Sequence, residues 1–202
     1  MEYLWIALCA YALGSSSMAL YLSLLTKKDF RGHGSGNLGT SNAVLLLGWP
    51  AGILVGIHDI GKGLAAVLLV KWLFPQTALA AVVAGTACVL GHIFPFYLKF
   101  KGGKGLASYV GLLVALNWKL SIALFILLAI ATVVTDYIVV GTVLVVISAP
   151  VFYAVTGDGT TALILAAASL LILWKHRMNY VRIYKGTEVG LRSAARGDHR
   201  VK

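Results

Sequence analysis

Residues 3–31 read YLWIALCAYALGSSSMALYLSLLTKKDFR. The stretch 3–25 holds no charged side chain and exceeds the roughly 20 apolar residues that a helix needs to cross the hydrocarbon layer. It is too long for the core of a signal peptide and no basic residue precedes it, so it is expected to remain as a membrane span with its N-terminus outside. Lys27, Lys28 and Arg31 follow at once, the pattern of a span that ends in the cytoplasm.

Four further apolar runs lie at 50–74, 77–98, 139–155 and 160–174. Between 105 and 135 the run is broken at Asn117, Trp118 and Lys119, giving two short pieces that form either a tight helical hairpin or a re-entrant pair. Lysine and arginine fall almost wholly into three clusters: Lys27/Lys28/Arg31, Lys99/Lys101/Lys104 and residues 175–202. With all three in the cytoplasm, parity allows two spans between the first and second clusters and an even number afterwards. The expected fold class is an all-α integral membrane protein, a seven-transmembrane-helix bundle with the N-terminus outside and the C-terminus cytoplasmic; five helices is the fallback if the short pair does not cross. Seven is preferred because short helices packed against others cross a locally distorted bilayer, whereas a lipid-exposed non-helical loop does not. Residues 43–49 then read as an interfacial continuation of the preceding loop. With no internal repeat and no low-complexity linker, residues 1–188 read as one membrane-embedded domain and 189–202 as a basic cytoplasmic tail.

Apolar residues make up 59% of the 202 and charged ones 12%, with a mean hydropathy of +0.88, which sets aside an ordinary soluble domain. The net charge of +10 is not interleaved with stacking aromatics. It marks cytoplasmic flanks, anionic substrates or lipid headgroups, and no nucleic-acid partner is expected. Cys9 and Cys88 stand alone in apolar segments and read as small buried hydrophobes; neither a metal nor a cofactor is expected.

Three polar segments fall on the cytoplasmic side of this topology. In GHGSGNLGTSN at 32–42, Gly34, Gly36 and Gly39 let the backbone turn sharply and aim several N–H groups at one spot, while Ser35, Asn37, Thr40, Ser41 and Asn42 add short donors. Such a concavity suits a phosphate; a flexible turn between spans is the alternative. In GHIFPFYLKFKGGKG at 91–105, Gly102, Gly103 and Gly105 flank Lys104 and offer free amides just before a helix start, where the dipole favours an anion. This is not a Walker A loop, because Lys104 is followed by Gly105 and Leu106 rather than Ser or Thr. His92 is equally a general base or a structural hydrogen-bonding group at the turn before Pro95. In the tail segment HRMNYVRIYKGTE at 176–188, His176, Arg177, Arg182 and Lys185 fit headgroup contacts, which leaves Asn179 and Glu188 unexplained.

Asp59 and Lys62 sit three residues apart within the second span, hence on one helix face, and a charge pair inside a membrane is expensive unless it serves a site or a cavity. His58 points to a different face, where it snorkels or hydrogen-bonds. The HxxxxD pairing of many thioester-using acyltransferases, the GxSxG elbow and the HExxH helix are all absent from the sequence.

Together, GSGNLGTSN at 34–42, DIGKG at 59–63, GHIFPFYLKFKGGKG at 91–105 and HRMNYVRIYKGTE at 176–188 resemble the bacterial acyl-phosphate:glycerol-3-phosphate acyltransferases, the PlsY family, over most of the chain. The resemblance implies seven helices, a bacterial inner (plasma) membrane location and an active site on the cytoplasmic face. It also implies a reaction, in which a fatty acyl group passes from acyl phosphate to the 1-hydroxyl of glycerol 3-phosphate, giving lysophosphatidic acid and phosphate. The partners are then those two substrates and membrane lipids, with the chain functional as a monomer.

On that resemblance the catalytic group is Ser35, Lys104 and His176. The substrate-binding group is Gly34, Gly36, Asn37, Gly39, Asn42, Asp59, Lys62, His92, Gly102, Gly103, Gly105, Asn179 and Arg182. The two glycine segments hold phosphate and stabilise charge on the carbonyl oxygen, and His176 and Asn179 seat the acceptor. A substrate phosphate oxygen is able to take the hydroxyl proton in place of a protein base. Two departures stand out: Leu45 replaces an arginine common in the family, and Thr40–Ser41 replaces Ala–Thr. Lys62 or Arg182 substitutes for the missing cation, or the acceptor differs. A small-anion transporter and a non-catalytic paralogue that binds acyl phosphate or lipid are the rival readings. Arg192, Arg196 and Arg200 in the tail read as a mobile contact with anionic lipid.

Overall fold

The serine run at positions 15–17 breaks the span expected at 3–25 into two helices, α1 (Glu2–Ser15) and α2 (Met18–Thr26). Serine hydroxyls compete with the helical ladder for backbone groups. The Ser17 side chain caps α2 by accepting from the Leu20 N–H at 3.3 Å, and Ser15 Oγ donates to the Tyr11 carbonyl at 2.9 Å. A break at membrane depth leaves carbonyls that no water satisfies. Here the Tyr97 hydroxyl donates to Ser15 O at 2.6 Å and Lys62 Nζ to Ser16 O at 2.7 Å.

The computed structural model describes residues 1–195, which contain helices, turns and loops and no strand. They fall into two compact units, Met1–Asn117 and the chain from Trp118 onward. In the first unit α3 (Thr40–Leu47) follows the glycine loop, so residues 43–49 are mostly helical rather than a continued loop; Gly48, at φ 85°, separates α3 from α4 (Trp49–Leu73). Next come α5 (Ala80–Ile93), a 3-10 turn at Phe96–Leu98 and α6 (Leu106–Leu116). Small residues let these backbones touch, as is common between membrane helices. A Cβ on Gly14 would run into the Cys88 carbonyl of α5, and one on Gly63 into the Ser108 carbonyl of α6.

Two sets of hydrogen bonds fix which loops share an end of this unit. The Tyr3 hydroxyl donates to Ala78 O and the Thr77 hydroxyl to Glu2 at 3.1 Å, joining the start of α1 to the α4–α5 turn. At the opposite end, Arg31 donates to Leu98 O at 3.3 Å and to Lys101 O at 3.0 Å, which brings both glycine segments together. Beneath them Phe30, Leu38, Ala43, Val55 and Leu98 form one apolar cluster. Full burial of a side chain the size of Phe30 contributes roughly 1.5–3 kcal/mol.

The second unit holds α7 (Trp118–Thr135), α8 (Ile138–Val155), α9 (Gly159–Lys175), α10 (Arg177–Tyr184) and α11 (Leu191–Ala195). Asp158 caps α9 by accepting from the Thr161 N–H at 3.0 Å, and the axis bends by 45° between α9 and α10. The segment after Glu188 docks on the α7–α8 turn: the Leu191 N–H reaches Asp136 O at 2.7 Å, the Arg192 N–H reaches Asp136 Oδ1 at 2.8 Å, and the Arg192 guanidinium reaches Val133 O at 3.0 Å. Arg192 is therefore held rather than mobile; Arg196 and Arg200 lie outside the described residues.

Among the described residues, five candidate spans are long and apolar enough to cross a membrane: Glu2–Thr26, Trp49–Leu73, Ala80–Leu98, Trp118–Thr135 and Ile138–Val155. The bent pair α9 and α10 makes a sixth if it is one broken span rather than a re-entrant loop, and Leu106–Leu116 is a shorter apolar helix. The run from 105 to 135 divides at Asn117 as expected, but unequally. Asn117 is extended, and Trp118 restarts a full 18-residue helix rather than a short piece. Lys119 does not stop it, because its ammonium lies 5.7 Å from the Trp118 ring centroid. Cys88 is buried as expected, whereas Cys9 is exposed on the outer face of α1 among Trp5, Leu8 and Leu13. Gly63→Val is expected to force α4 from α6 and to destabilise the protein by about 1–3 kcal/mol, read as a lower midpoint of thermal unfolding in detergent. Gly61→Val, where a Cβ meets nothing within 4 Å, is the control expected to change that midpoint little.

Candidate active site

The first glycine segment is organised by one buried side chain. Asn42, fully buried in the first turn of α3, accepts the Ser35 N–H at 2.8 Å through Oδ1 and donates through Nδ2 to Phe30 O at 2.8 Å and His33 O at 3.4 Å. Gly34 takes φ 62° and leaves no room for a Cβ beside Asn42 Oδ1. The Asn42 amide therefore serves the loop's own backbone, and so does the Ser35 N–H. Gly39 begins α3 without a side-chain cap, and Asn37 packs against it, its Nδ2 2.9 Å from where a Cβ on Gly39 would lie. At the loop's start Asp29 accepts the Arg31 N–H at 2.9 Å. That bond, with a second from the Gly32 backbone, holds the exposed Asp29 carboxyl below the usual carboxylate range.

The second glycine segment caps α5. The Gly102 N–H donates to Ile93 O and the Gly103 N–H to His92 O, both at 3.0 Å, which satisfies carbonyls at the end of that helix. The expectation that these two amides are free for phosphate is thus corrected. Glycine is needed for closeness: a Cβ on Gly102 would meet His92 O and Pro95, and one on Gly103 would meet the His92 ring. Lys99 and Phe100, just upstream, both adopt left-handed backbone at φ 53° and 57°, a conformation that costs a non-glycine residue roughly 1–2 kcal/mol. Gly105, at φ 97°, opens α6 without a side-chain cap. The amides of that first turn, with Lys104 immediately before them, make the anion-seeking feature of this segment.

Below both segments lies the charge cluster. Oδ1 of Asp59 faces Lys62 Nζ at 3.0 Å, His58 Nδ1 at 3.3 Å and His92 Nδ1 at 3.5 Å. Asp59, Lys62 and His92 are buried at 2%, 5% and 7% exposure, so each depends on the others for solvation. His58 belongs to this cluster rather than to a separate face, and its Nε2 sits 3.1 Å from Ser16 Oγ. Lys62 bridges Asp59 and the broken first span, an arrangement that makes it a structural cation.

In the second unit His176 is buried, with Nδ1 2.8 Å from Ile172 O. Asn179 Nδ2 and Arg182 Nε each donate to Glu188 at 2.5 Å, one to each carboxylate oxygen. Arg182 therefore carries a neutralising partner, and Glu188, unexplained in the sequence, is the group that orients both side chains. The residues that sequence reasoning missed are Phe30, under the first loop, and Arg31, across the two segments. Arg31 reads as a topology marker, and nothing in a single basic residue signals a carbonyl clamp.

A family model described as glycerol-3-phosphate acyltransferase matches residues 4–186. The chain belongs to the glycerol-3-phosphate acyltransferase family. A Coxiella burnetii glycerol-3-phosphate acyltransferase is 35% identical over 189 residues, covering 93% of this chain and 97% of that protein. One from Thermoanaerobacter pseudethanolicus is 36% identical over 187 residues, covering 90% and 92%. Among solved structures, PlsY, an integral membrane glycerol 3-phosphate acyltransferase, superposes in its glycerol 3-phosphate form with a TM-score of 0.89 at 29% identity, covering 96% of this chain and 98% of that one. Its lysophosphatidic acid form gives 0.81 at the same 29% identity. With this family and its helical spans, the chain is a multi-pass membrane protein.

Asp59→Asn is expected to strand the Lys62 ammonium in an apolar setting and to cost about 3–5 kcal/mol. Adding Lys62→Met removes the stranded charge, and in a cycle with the single Lys62→Met variant, which also loses the bond to Ser16 O, the double variant is expected to lose less thermal stability in detergent than the two singles summed; additive losses would show that the pair does not interact.

Proposed function

We propose that this glycerol-3-phosphate acyltransferase takes its acyl group from acyl phosphate and delivers it to the 1-hydroxyl of glycerol 3-phosphate at the cytoplasmic face of a bacterial inner membrane, working as a monomer. The proposed topology has seven spans, counting the bent pair and the short α6, with the N-terminus outside and residues 1–188 acting as one domain. The supporting observation is the end of the first unit, where Arg31, just ahead of the Ser35 loop, bonds to the backbone of the segment that leads to Lys104 and to α6, whose start has no side-chain cap. An acyl phosphate is a mixed anhydride with a good leaving group, so holding and orienting two phosphate-bearing molecules is the main catalytic task.

In the proposed step the acceptor's 1-hydroxyl oxygen bonds to the acyl carbonyl carbon and the bond from that carbon to the phosphate oxygen breaks. The hydroxyl proton passes to a substrate phosphate oxygen, leaving lysophosphatidic acid and inorganic phosphate. Lys104 and the first-turn amides of α6 grip the donor phosphate, and the Ser35 hydroxyl stabilises charge on the carbonyl oxygen. Gly34, Gly36, Gly39 and Asn42 shape the Ser35 loop, with Asn37 packed against Gly39. Gly102, Gly103 and His92 set the height of Lys104, and Asp59 with Lys62 supports His92. The roles proposed for His176, Asn179 and Arg182, seating the acceptor, rest on the motif resemblance. Lys62 and Arg182 each have a carboxylate partner, which counts against either as the replacement for an arginine at position 45.

Purified protein given acyl phosphate and glycerol 3-phosphate is expected to release inorganic phosphate and lysophosphatidic acid in equal amounts; binding of acyl phosphate without either product would make the chain a non-catalytic binder. Lys104→Ala is expected to abolish transfer while the protein stays folded, and near-normal turnover would remove the phosphate grip assigned to Lys104. Leu45→Arg is expected to lower KM for glycerol 3-phosphate roughly tenfold, the worth of one charged hydrogen bond to phosphate. An unchanged KM would show that the acceptor phosphate does not lie near position 45.

A further inference from the structure

Arg31 lies outside the glycine motif, three residues before Gly34, yet its guanidinium donates to Leu98 O at 3.3 Å and Lys101 O at 3.0 Å. Those two carbonyls flank Lys99 and Phe100, the consecutive pair of non-glycine residues in left-handed backbone. Strain of this kind persists only where the surroundings over-determine it, and it tends to collect at functional sites. The downstream bonds, Gly102 N–H to Ile93 O and Gly103 N–H to His92 O, begin one residue after the clamped Lys101 carbonyl. Arg31 is itself anchored, because its own N–H is held by Asp29 and its neighbour Phe30 is fully buried.

We propose that Arg31 is a positioning residue that holds the strained Lys99 and Phe100 turn closed and so sets Lys104 in register with the Ser35 loop for the donor phosphate. The inference rests on the functional reading above. Arg31 touches no substrate in this account; it acts through the backbone of the turn. When the clamp is lost the left-handed pair relaxes, the Gly102 and Gly103 bonds loosen, and Lys104 moves off the phosphate.

The test uses strain relief. Arg31→Met keeps the aliphatic stem and removes the donors, and Phe100→Gly lets position 100 take a positive φ without cost. The exposed Phe100 ring gives up little packing in that change. Arg31→Met is expected to lower kcat/KM for acyl phosphate roughly ten- to a hundredfold, as a small misplacement of a catalytic group does. KM for acyl phosphate rises while KM for glycerol 3-phosphate stays unchanged. Arg31→Met with Phe100→Gly is expected to recover most of the loss. Hydrogen exchange at the Gly102 and Gly103 amides follows the same order, faster in the single variant and slowed again in the double.

A wild-type rate in Arg31→Met, a loss in kcat alone as from partly unfolded protein, or no recovery in the double variant would each overturn the proposal. If the unaltered chain made no lysophosphatidic acid, the functional reading would fall, and the exchange rates would still decide whether Arg31 closes the turn.

Discussion

A carbonyl freed inside a membrane must find a donor within the protein. The serine break in the first span frees one at Ser16, and the donor it finds is the ammonium of Lys62. That ammonium is buried, so it needs a carboxylate, and Asp59 supplies one. The same carboxylate oxygen meets His92, whose ring forms the floor under Gly103 and whose carbonyl receives the Gly103 amide. A single line of contacts thus runs from a helix break through a buried ion pair to the residue just before Lys104. The charge pair therefore underlies the turn that leads to Lys104.

The two glycine segments share a design principle: key polar groups of each bond within the protein. Asn42 closes the first on itself, and the amides of Gly102 and Gly103 close the second onto α5. A loop whose donors are satisfied internally is rigid before substrate arrives, which lowers the ordering cost of binding. On the proposed mechanism the groups left to meet substrate are few: the Ser35 side chain, Lys104 and the first turn of α6. Electrostatic stabilisation of a transition state depends on this kind of preorganisation, since donors that must reorient at the moment of reaction lose much of their benefit.

The helical class and the break at Asn117 were legible because apolar length and a polar interruption act locally along the chain. The break at the serine run was less so: three serines in an otherwise apolar span fit an unbroken helix equally well, and the carbonyls of the open form are satisfied by Tyr97 and Lys62, distant in sequence. The positions of Ser35 and Lys104 on one end followed from charge parity. The use of the glycine amides did not follow, because a Gly-Gly pair looks alike whether it faces a phosphate or the end of a neighbouring helix. Arg31 illustrates the same limit. In sequence it is one more cation in a basic cluster, and its carbonyl partners lie 67 and 70 residues away.

The shortness of α6 belongs with the chemistry proposed for its start. At 1.5 Å per residue a helix of this length runs about 16 Å, roughly half of the ~30 Å hydrocarbon layer. A helix that began at the headgroup level would hold its positive N-terminal end in water, where an anion gains little from it. The reacting carbonyl of a fatty acyl phosphate joins a charged group to an acyl chain, so on the proposed topology its natural depth is the polar–apolar boundary. On that topology a short helix reached through a glycine turn would bring its first-turn amides and a lysine toward that depth, where a lower dielectric strengthens their hold on phosphate. The turn before it is built against the buried His92, itself held by Asp59, which on the proposed topology gives Lys104 a rigid floor.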